Sequence, residues 1–297
     1  MPQPCLTEKG VEIMRPLKEV LEENVGKDFR KAQIKRDIAY INLQKEQGRL
    51  TSGEADYWKE KIGNLQEYQY GYHKGWSMIL DTLTWPVLIM MLICIGIAPI
   101  FAGEYQSKCD SLILCMKYGR SKLILAKIIS GWLYATGVYW GITLIYSSIY
   151  MIFLGTQGAD LPIQLKYPAM SVGYNLTMGE AVVIALLLGY FFTLGIMGIT
   201  LFMSALLKNT YAVIIVAFLL IIIPTFLSLD TGGYVWSHVL SLLPPKIADF
   251  SFQSYTAYSI GNIVLSWPVM AILVNAIVAV LCSVLGYIIF RKHQVNK

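Results

Sequence analysis

The stretch AVVIALLLGYFFTLGIMGITLFMSALL, residues 181–207, contains no charged side chain. A helix of about 20 apolar residues is long enough to cross the apolar core of a bilayer, and this stretch is longer. Only Lys208, Asn209 and Thr210 separate it from YAVIIVAFLLIIIPTFLSL, residues 211–229, which is also free of charge. The two stretches predict a pair of membrane-spanning helices that are joined by a tight hairpin at one membrane face.

Three further windows of the chain have the same character. In lipid, backbone polar groups must pair within their own segment, so each window is expected to be a helix. The sequence thus predicts an all-α, polytopic membrane protein with five spans, Leu83–Gly103, Ile128–Leu154, Ala181–Leu207, Tyr211–Leu229 and Pro268–Phe290. The composition agrees, because 56% of residues are hydrophobic and 14% are charged, whereas about 25% are charged in soluble domains. These values exclude a soluble enzyme, a disordered chain and a disulfide-stapled secreted domain.

The first 75 residues differ from the rest, since they hold 13 basic and 12 acidic residues. We therefore divide the chain into a polar head, residues 1–75, and a transmembrane domain, residues 76–297. Ile34, Ile38 and Ile41 share one helix face. Gly48 interrupts that pattern, and Thr51 with Glu54 predicts a capping box for a second helix. The head is expected to be an extramembrane helical hairpin over residues 28–70.

Basic residues in the short loops predict the orientation of the spans. Nine lie in the loop after the first span, in the hairpin at 208 and in the carboxyl tail, against only Lys166 and Lys246 in the alternate connections. The chain is thus expected in the cell membrane, with that loop and the C-terminus in the cytoplasm and the head outside. No signal-peptide core occurs in residues 1–75, so we hypothesise an upstream membrane helix. The fallback is a cytoplasmic head with all spans inverted.

Motifs for catalysis do not occur in the sequence. It contains no GxxxxGK[ST], HExxH or GxSxG pattern, and its three histidines are scattered. We expect no catalysis, no metal, no cofactor and no nucleic-acid partner for this chain. None of the five predicted spans carries an ionisable group of the kind an ion-coupled carrier uses, which disfavours that class. If the protein transports a substrate, its energy is expected from another polypeptide.

The loop EYQSKCDSLILCMKYGRSKLILAK, residues 104–127, is the most informative segment. Its apolar residues recur at helical spacing, at Tyr105, Cys109, Leu112, Ile113 and Met116. This predicts an amphipathic helix along the interface, with Glu104 and Asp110 early and Lys117 and Arg120 late, as the helix dipole favours. Ser121 is expected to cap the following span. From the residues alone, a surface connector and a docking helix for a cytoplasmic partner remain equally open.

A family resemblance favours the docking helix. The series Phe101-Ala102-Gly103-Glu104, an amphipathic stretch, Tyr118-Gly119-Arg120-Ser121 and Lys127 resembles the membrane (permease) subunit of type-2 ATP-binding cassette exporters. Leu242-Leu243-Pro244-Pro245 lies where that family has short helices before its last span. The resemblance implies a separate cytoplasmic ATPase that holds ATP and Mg²⁺, a second permease chain, and a first span that this chain lacks. It assigns ATPase coupling to Glu104, Tyr105, Asp110, Lys117, Arg120, Ser121 and Lys127.

Small residues within the spans indicate close helix packing. Gly137 and Gly141 form a small-xxx-small pair, and Gly195 and Gly198 thin the third span. They are consistent either with a subunit interface or with core positions. Asn275 is expected to make a helix–helix hydrogen bond. The rival interpretation of the whole chain is a non-transport membrane sensor or assembly protein, whose external head binds a ligand.

Overall fold

A computed structural model of the chain describes residues 29–64, 71–82, 85–119, 121–167, 172–228, 233–261 and 263–292. The fold is mostly helical. Its α-helices are α1 Phe29–Glu46, α2 Ser52–Gly63, α3 Lys74–Asp81, α4 Trp85–Ile97, α5 Pro99–Gln106, α6 Asp110–Cys115, α7 Lys122–Leu154, α8 Met178–Leu206, α9 Thr210–Phe226, α10 Tyr234–Ser241 and α11 Trp267–Lys292. Two 3₁₀-helices (Ile163–Lys166 and Pro244–Asp249) and two antiparallel strands (β1 Ala257–Ile260 and β2 Ile263–Ser266) complete the described elements.

Among the described residues, four helical segments are long and apolar enough to cross a membrane, which is the character of a membrane protein. They are Pro86–Gln106 (α4 with α5), α7, α8 and α11. The predicted span at 211–229 falls on α9, which has 17 residues. At 1.5 Å per residue this helix measures about 25 Å, less than the roughly 30 Å of a bilayer core. The predicted helical class is confirmed, apart from the β-hairpin, which the all-α prediction did not include.

Helix α8 lies at the centre of the bundle and packs against α4, α7 and α11. Glycines on α8 let α11 approach closely: a Cβ at Gly198 would lie 2.7 Å from the Cα of Ala279, and one at Gly195 would lie 2.5 Å from Asn275 Oδ1. By contrast, Gly137 and Gly141 on α7 are exposed and have no neighbour within 4 Å of a built Cβ. Gly195 and Gly198 of α8 thus serve packing within the chain, whereas Gly137 and Gly141 of α7 face outward.

Asn275 links α11 to the connection that precedes it. Its Nδ2 donates to Leu242 O at 3.2 Å and to Ala271 O at 2.9 Å, and the side chain is buried. The hydrogen bond therefore reaches the end of α10 rather than a neighbouring span.

Residues 29–64 of the head form a helical hairpin that shares its core with the transmembrane domain's connections. Thr51 and Glu54 form the predicted capping box at the start of α2, and Gly48 adopts a φ of +69° in the turn between the helices. The apolar face of α1 and α2 packs on the β-hairpin and on the segment before α8, in a cluster of Ile41, Leu50, Ala55, Trp58, Ile62, Tyr255 and Ala257. The head, the β-hairpin and the 155–177 connection therefore form one layer at one end of the bundle, which we call the head layer.

The opposite end of the bundle is formed by the loop with α6, the turn at 207–209 and the end of α11. We call it the loop end. Contacts among α5, α7, α8 and α11 at this end, described below, hold the starts and ends of four spans together.

Candidate functional site

The loop after the first span is not the continuous amphipathic helix that its spacing predicted. Helix α5 ends at Gln106, Lys108 takes a left-handed φ of +55°, and α6 contains only six residues. The prediction was wrong because Phe101 and Ala102 hold α5 in the bundle, so the chain has to turn before it can run along the interface. A repeat of apolar residues at helical spacing does not distinguish one helix from two helices at an angle.

Glu104 and Lys127 form an ion pair between the end of α5 and the first turns of α7. Their side chains are 16% and 22% exposed, so the pair is largely shielded from water. Lys127 Nζ also donates to Ile100 O at 2.8 Å and lies 5.8 Å from the centre of the Phe101 ring. Glu104 Oε2 is buried and has no hydrogen-bond partner among the described residues. Two residues of the predicted coupling set are therefore brought together and join the first two spans.

Tyr105 contacts two other helices of the bundle. Its hydroxyl donates to Ala205 O on α8 at 3.2 Å, and its ring lies 5.5 Å from that of Phe290 on α11. Phe290 in turn lies 4.7 Å from Phe101. Together with the Glu104–Lys127 pair, these contacts tie the end of the first span to three other spans.

The side chain of Ser204 on α8 forms hydrogen bonds with the backbone at the helical break between α4 and α5. Pro99 lacks a backbone N–H, and the helix is interrupted there. The Ser204 hydroxyl donates to Ala98 O at 2.7 Å and accepts from the backbone N–H groups of Phe101 and Ala102 at 3.0 and 3.1 Å. A neighbouring hydroxyl of this kind is what makes a proline break tolerable inside a membrane. The sequence analysis missed this residue, although a serine in an apolar span opposite Ala-Pro is a usable signal.

Most of the remaining described loop residues are exposed. Leu112, Met116, Lys117 and Tyr118 all lie on the surface at the loop end. Ser121 stands at the N-cap position of α7 but makes no side-chain capping bond, with φ −137° and ψ −79°, so that prediction was wrong. The side chain of Asp110 and the whole of Arg120 lie outside the described residues. Of the predicted coupling set, the loop presents Lys117 and Ser121 outward, and the bundle holds Glu104, Tyr105 and Lys127.

A second polar cluster joins the head to the last connection. Glu54 is fully buried, and its Oε2 accepts from Thr51 N at 2.9 Å within the capping box. Its Oε1 accepts from the Tyr234 hydroxyl at 2.7 Å and from Ser259 Oγ at 3.4 Å. Burial, and then the hydrogen bond to the Glu54 carboxylate, raise the pKa of Tyr234 to about 12.

His238 continues this cluster toward α11. Its ring lies 3.9 Å from that of Tyr234, and its Nε2 is 3.0 Å from Ala257 O. The Tyr258 hydroxyl donates to His238 O at 2.8 Å, and burial raises the pKa of Tyr258. The sequence analysis missed this cluster, because Glu54 and Tyr234 are 180 positions apart. The only signal was the concentration of Tyr, His and Ser between 234 and 259.

Aromatic rings fill the contact between α2 and the segment before α8. Trp58 lies edge-on to Tyr174 and Tyr255, with ring centres 5.1 and 5.5 Å apart. A Cβ at Gly173 would approach the Trp58 ring to 2.8 Å, so a glycine is needed there. Within the described ranges, neither Trp58 Nε1 nor the Tyr174 hydroxyl has a hydrogen-bond partner. The contact is therefore mainly apolar, with its polar bonds concentrated at Glu54.

A groove of about 370 Å³ opens between α7 and α11 at the loop end. Over the part of the chain that the structure describes, no three His, Cys, Asp or Glu side chains are grouped so as to hold a metal ion. The described site therefore consists of polar links between helices and of exposed surface.

The fold and these contacts define a helical membrane protein with the head layer at one end of its bundle. Residues 57–295 match a family described as Protein of unknown function (DUF2705), and the chain belongs to that family. Comparison with curated proteins gave no match, and neither did comparison with solved structures.

Proposed function

We propose that this chain is the membrane (permease) subunit of an ATP-driven exporter of the type-2 ATP-binding cassette class. The observation that carries the proposal is the loop between the first two spans. It presents the exposed apolar side chains of Leu112, Met116 and Tyr118 beside exposed Lys117, while the Glu104–Lys127 ion pair fastens its base to two spans. An exposed apolar patch next to a fixed anchor suits a partner that pushes on the bundle.

The contacts around this loop offer a route for such motion. Force on α6 would reach α5, whose junction with α4 at Pro99 is interrupted and held by Ser204. Through Lys127 and Tyr105 the same displacement would reach α7, α8 and α11. A change in angle at the break would therefore rearrange four spans without unfolding any of them.

The energy source in this proposal is ATP with Mg²⁺, bound by a separate cytoplasmic ATPase subunit, since the sequence has no phosphate-binding loop. Two copies of this chain, or this chain with a related one, would form the pathway. The loop end then lies in the cytoplasm and the head layer outside, as the distribution of Lys and Arg favours. Gly137 and Gly141, exposed on α7, are available to a second permease chain.

Co-purification tests the proposal. The full chain is expressed with the phosphate-loop ATPase of a neighbouring reading frame, isolated in lipid nanodiscs and assayed for ATP hydrolysis. We expect the ATPase to be retained and to be lost with Leu112→Asp/Met116→Asp. The matched control is Tyr72→Asp, which changes an equally exposed apolar side chain in the head layer. Failure to retain any ATPase, or equal loss with the control, would overturn the proposal.

A second candidate function is a sensor or assembly protein with a ligand-binding head. The specific observation in its favour is the cluster of Glu54, Tyr234 and His238, which links α2 to the connection before the last span. Under this alternative, cutting the link with Glu54→Ala changes signalling or assembly, while the loop variants have no effect. Under the exporter proposal the loop variants abolish activity.

A further inference from the structure

The groove at the loop end lies between the first turns of α7 and the last turns of α11. Leu125, Ile128, Val284 and Tyr287 form its walls, and Ser121 and Lys122 stand at its mouth. Deeper in the bundle the two helices meet, where Trp132 Nε1 donates to Ser283 Oγ at 3.1 Å. The opening therefore lies on the loop-end side of this hydrogen bond. Its volume, about 370 Å³, is in the range of small-molecule sites.

The walls of the groove are apolar and its mouth is cationic. Lys122 Nζ lies 4.6 Å from the Tyr118 ring, and the Arg291 guanidinium lies 6.0 Å from the ring of Tyr287, a wall residue. Both side chains are exposed. Within the described part of the chain, no carboxylate oxygen comes within 4.0 Å of either cation. Lys122, which lines the groove, and Arg291, which lies beside wall residue Tyr287, thus have no carboxylate partner among the described residues.

We propose that this groove binds one anionic diacyl phospholipid. An acyl chain lies along Leu125, Ile128 and Val284, and the phosphate is held by Lys122 and Arg291. Basic pockets between spans at a membrane surface select anionic headgroups in this way. A soluble phosphate would make no use of the apolar walls, and a zwitterionic lipid would bring a third cation next to Lys122 and Arg291. The inference requires only that the bundle be in a membrane, so it is independent of the proposed exporter function.

The groove also gives the bound lipid a structural role. Lys122 is the first residue of α7 and precedes by five positions Lys127, which pairs with Glu104. A headgroup bridging Lys122 and Arg291 would join the start of the second span to the end of the last one. That link lies beside the bundle contacts of Tyr105 and Phe290.

Native mass spectrometry of the full chain tests the site. The protein is released from nanodiscs of phosphatidylglycerol and phosphatidylcholine in equal parts, and the retained lipids are counted. We expect one retained phosphatidylglycerol, and a loss of affinity of about tenfold or more with Lys122→Gln/Arg291→Gln. The matched control, Lys208→Gln/Lys292→Gln, removes the same charge from exposed residues at the same end and is expected to retain the lipid.

A second variant separates the groove from its charges. Val284→Trp fills the opening at a half-exposed wall position and is expected to remove the bound lipid while both cations remain. Gel filtration and thermal unfolding of each variant show that it is folded. Equal retention of both lipids, equal loss in the control, or release of the lipid by inorganic phosphate alone would overturn the proposal.

Discussion

The carboxylate of Glu54 accepts a 2.7 Å hydrogen bond from the hydroxyl of Tyr234, which lies 180 positions further along the chain. The same carboxylate completes the capping box of α2. One buried side chain therefore both starts a helix of the head and fastens that helix to the connection before the last span. The attachment of the head to the bundle thus depends on a local folding signal.

Glu54→Ala is expected to release the head from the bundle. The change removes the Glu54 half of the capping box, whereas the Thr51 side chain can still accept from the backbone N–H at position 54. It also removes an acceptor for Tyr234, where a hydrogen bond to a charged group contributes about 1.5–3 kcal/mol. Limited proteolysis should cut the chain between residues 29 and 64 faster than in the wild type. The Glu54→Gln variant keeps a side chain that can complete the capping box. Its head should therefore resist proteolysis nearly as well as that of the wild type. Equal cleavage of Glu54→Ala and wild type would show that the bond does not hold the head.

Head attachment is also expected to weaken in strong alkali. The pKa of Tyr234 is raised from its ordinary value of 10 to about 12 in the folded chain. A raised folded-state pKa contributes stability that is complete below pH 10 and is lost as the pH rises through about 12. Protection of the head against proteolysis should therefore decrease between pH 10 and about 12. The Tyr234→Phe variant should show a weaker pH dependence of this protection. If the pH profile of protection in Tyr234→Phe equals that of the wild type, titration of other groups causes the loss of protection.

Removal of the hydroxyl group should have different effects on protein stability at two tyrosines of the head layer. The Tyr174 hydroxyl is buried and unpartnered among the described residues, so Tyr174→Phe should leave thermal unfolding unchanged or raise its midpoint. The Tyr258 hydroxyl donates to His238 O and shares a 2.7 Å bond with Ser241 Oγ, so Tyr258→Phe should cost about 1–2 kcal/mol. Similar midpoints for the two variants would contradict the assigned bonding.

Ser204→Ala should destabilise the bundle at the α4–α5 break. It leaves Ala98 O and the N–H groups of Phe101 and Ala102 without their partner, at about 1–3 kcal/mol for each buried group left unsatisfied. The control is Ser130→Ala on α7, whose exposed hydroxyl only donates to Ala126 O in its own helix. Thermal unfolding in detergent compares the two, and a control as unstable as Ser204→Ala would argue against the repair role.

Alanine at Gly198 should disturb the contact of α8 with α11, because the new Cβ would meet the Ala279 backbone at 2.7–2.8 Å. Overpacking of this kind costs about 1–3 kcal/mol. Gly141→Ala has open space within the chain and should leave monomer stability unchanged. Cross-linking in nanodiscs then shows whether Gly141→Leu separates two copies, as expected if α7 forms the subunit interface. Association that survives Gly141→Leu would place that interface elsewhere.

The parts of the fold that local patterns determine were predictable. Four of the five long windows free of charge correspond to membrane-length helices, and Thr51 with Glu54 correctly predicted the start of α2, because both signals depend on neighbouring residues. The β-hairpin was missed although Gly261-Asn262 between two short apolar runs is a turn signal. The loop helix was overextended, since spacing records which face is apolar and not where tertiary contacts turn the chain.

The parts of the site that were missed rest on partners distant in sequence. Ser204 forms hydrogen bonds at a helical break more than 100 positions away in sequence. Glu54 accepts a hydrogen bond from Tyr234, which is separated from it by most of the chain. Glu104 and Lys127 could be singled out by their charge beside apolar spans, but their pairing required the α5 and α7 ends to be in place.

The shared core of the head and the β-hairpin also has a consequence for biosynthesis. The ribosome makes Trp58 and Ile62 early, but their packing partners Tyr255 and Ala257 are made only just before the last span. Until then the apolar face of α1 and α2 is incomplete. The docking of the head can therefore occur only after nearly the whole chain has been translated, which makes a protease-resistant N-terminal region an indicator that the protein was completed and correctly assembled.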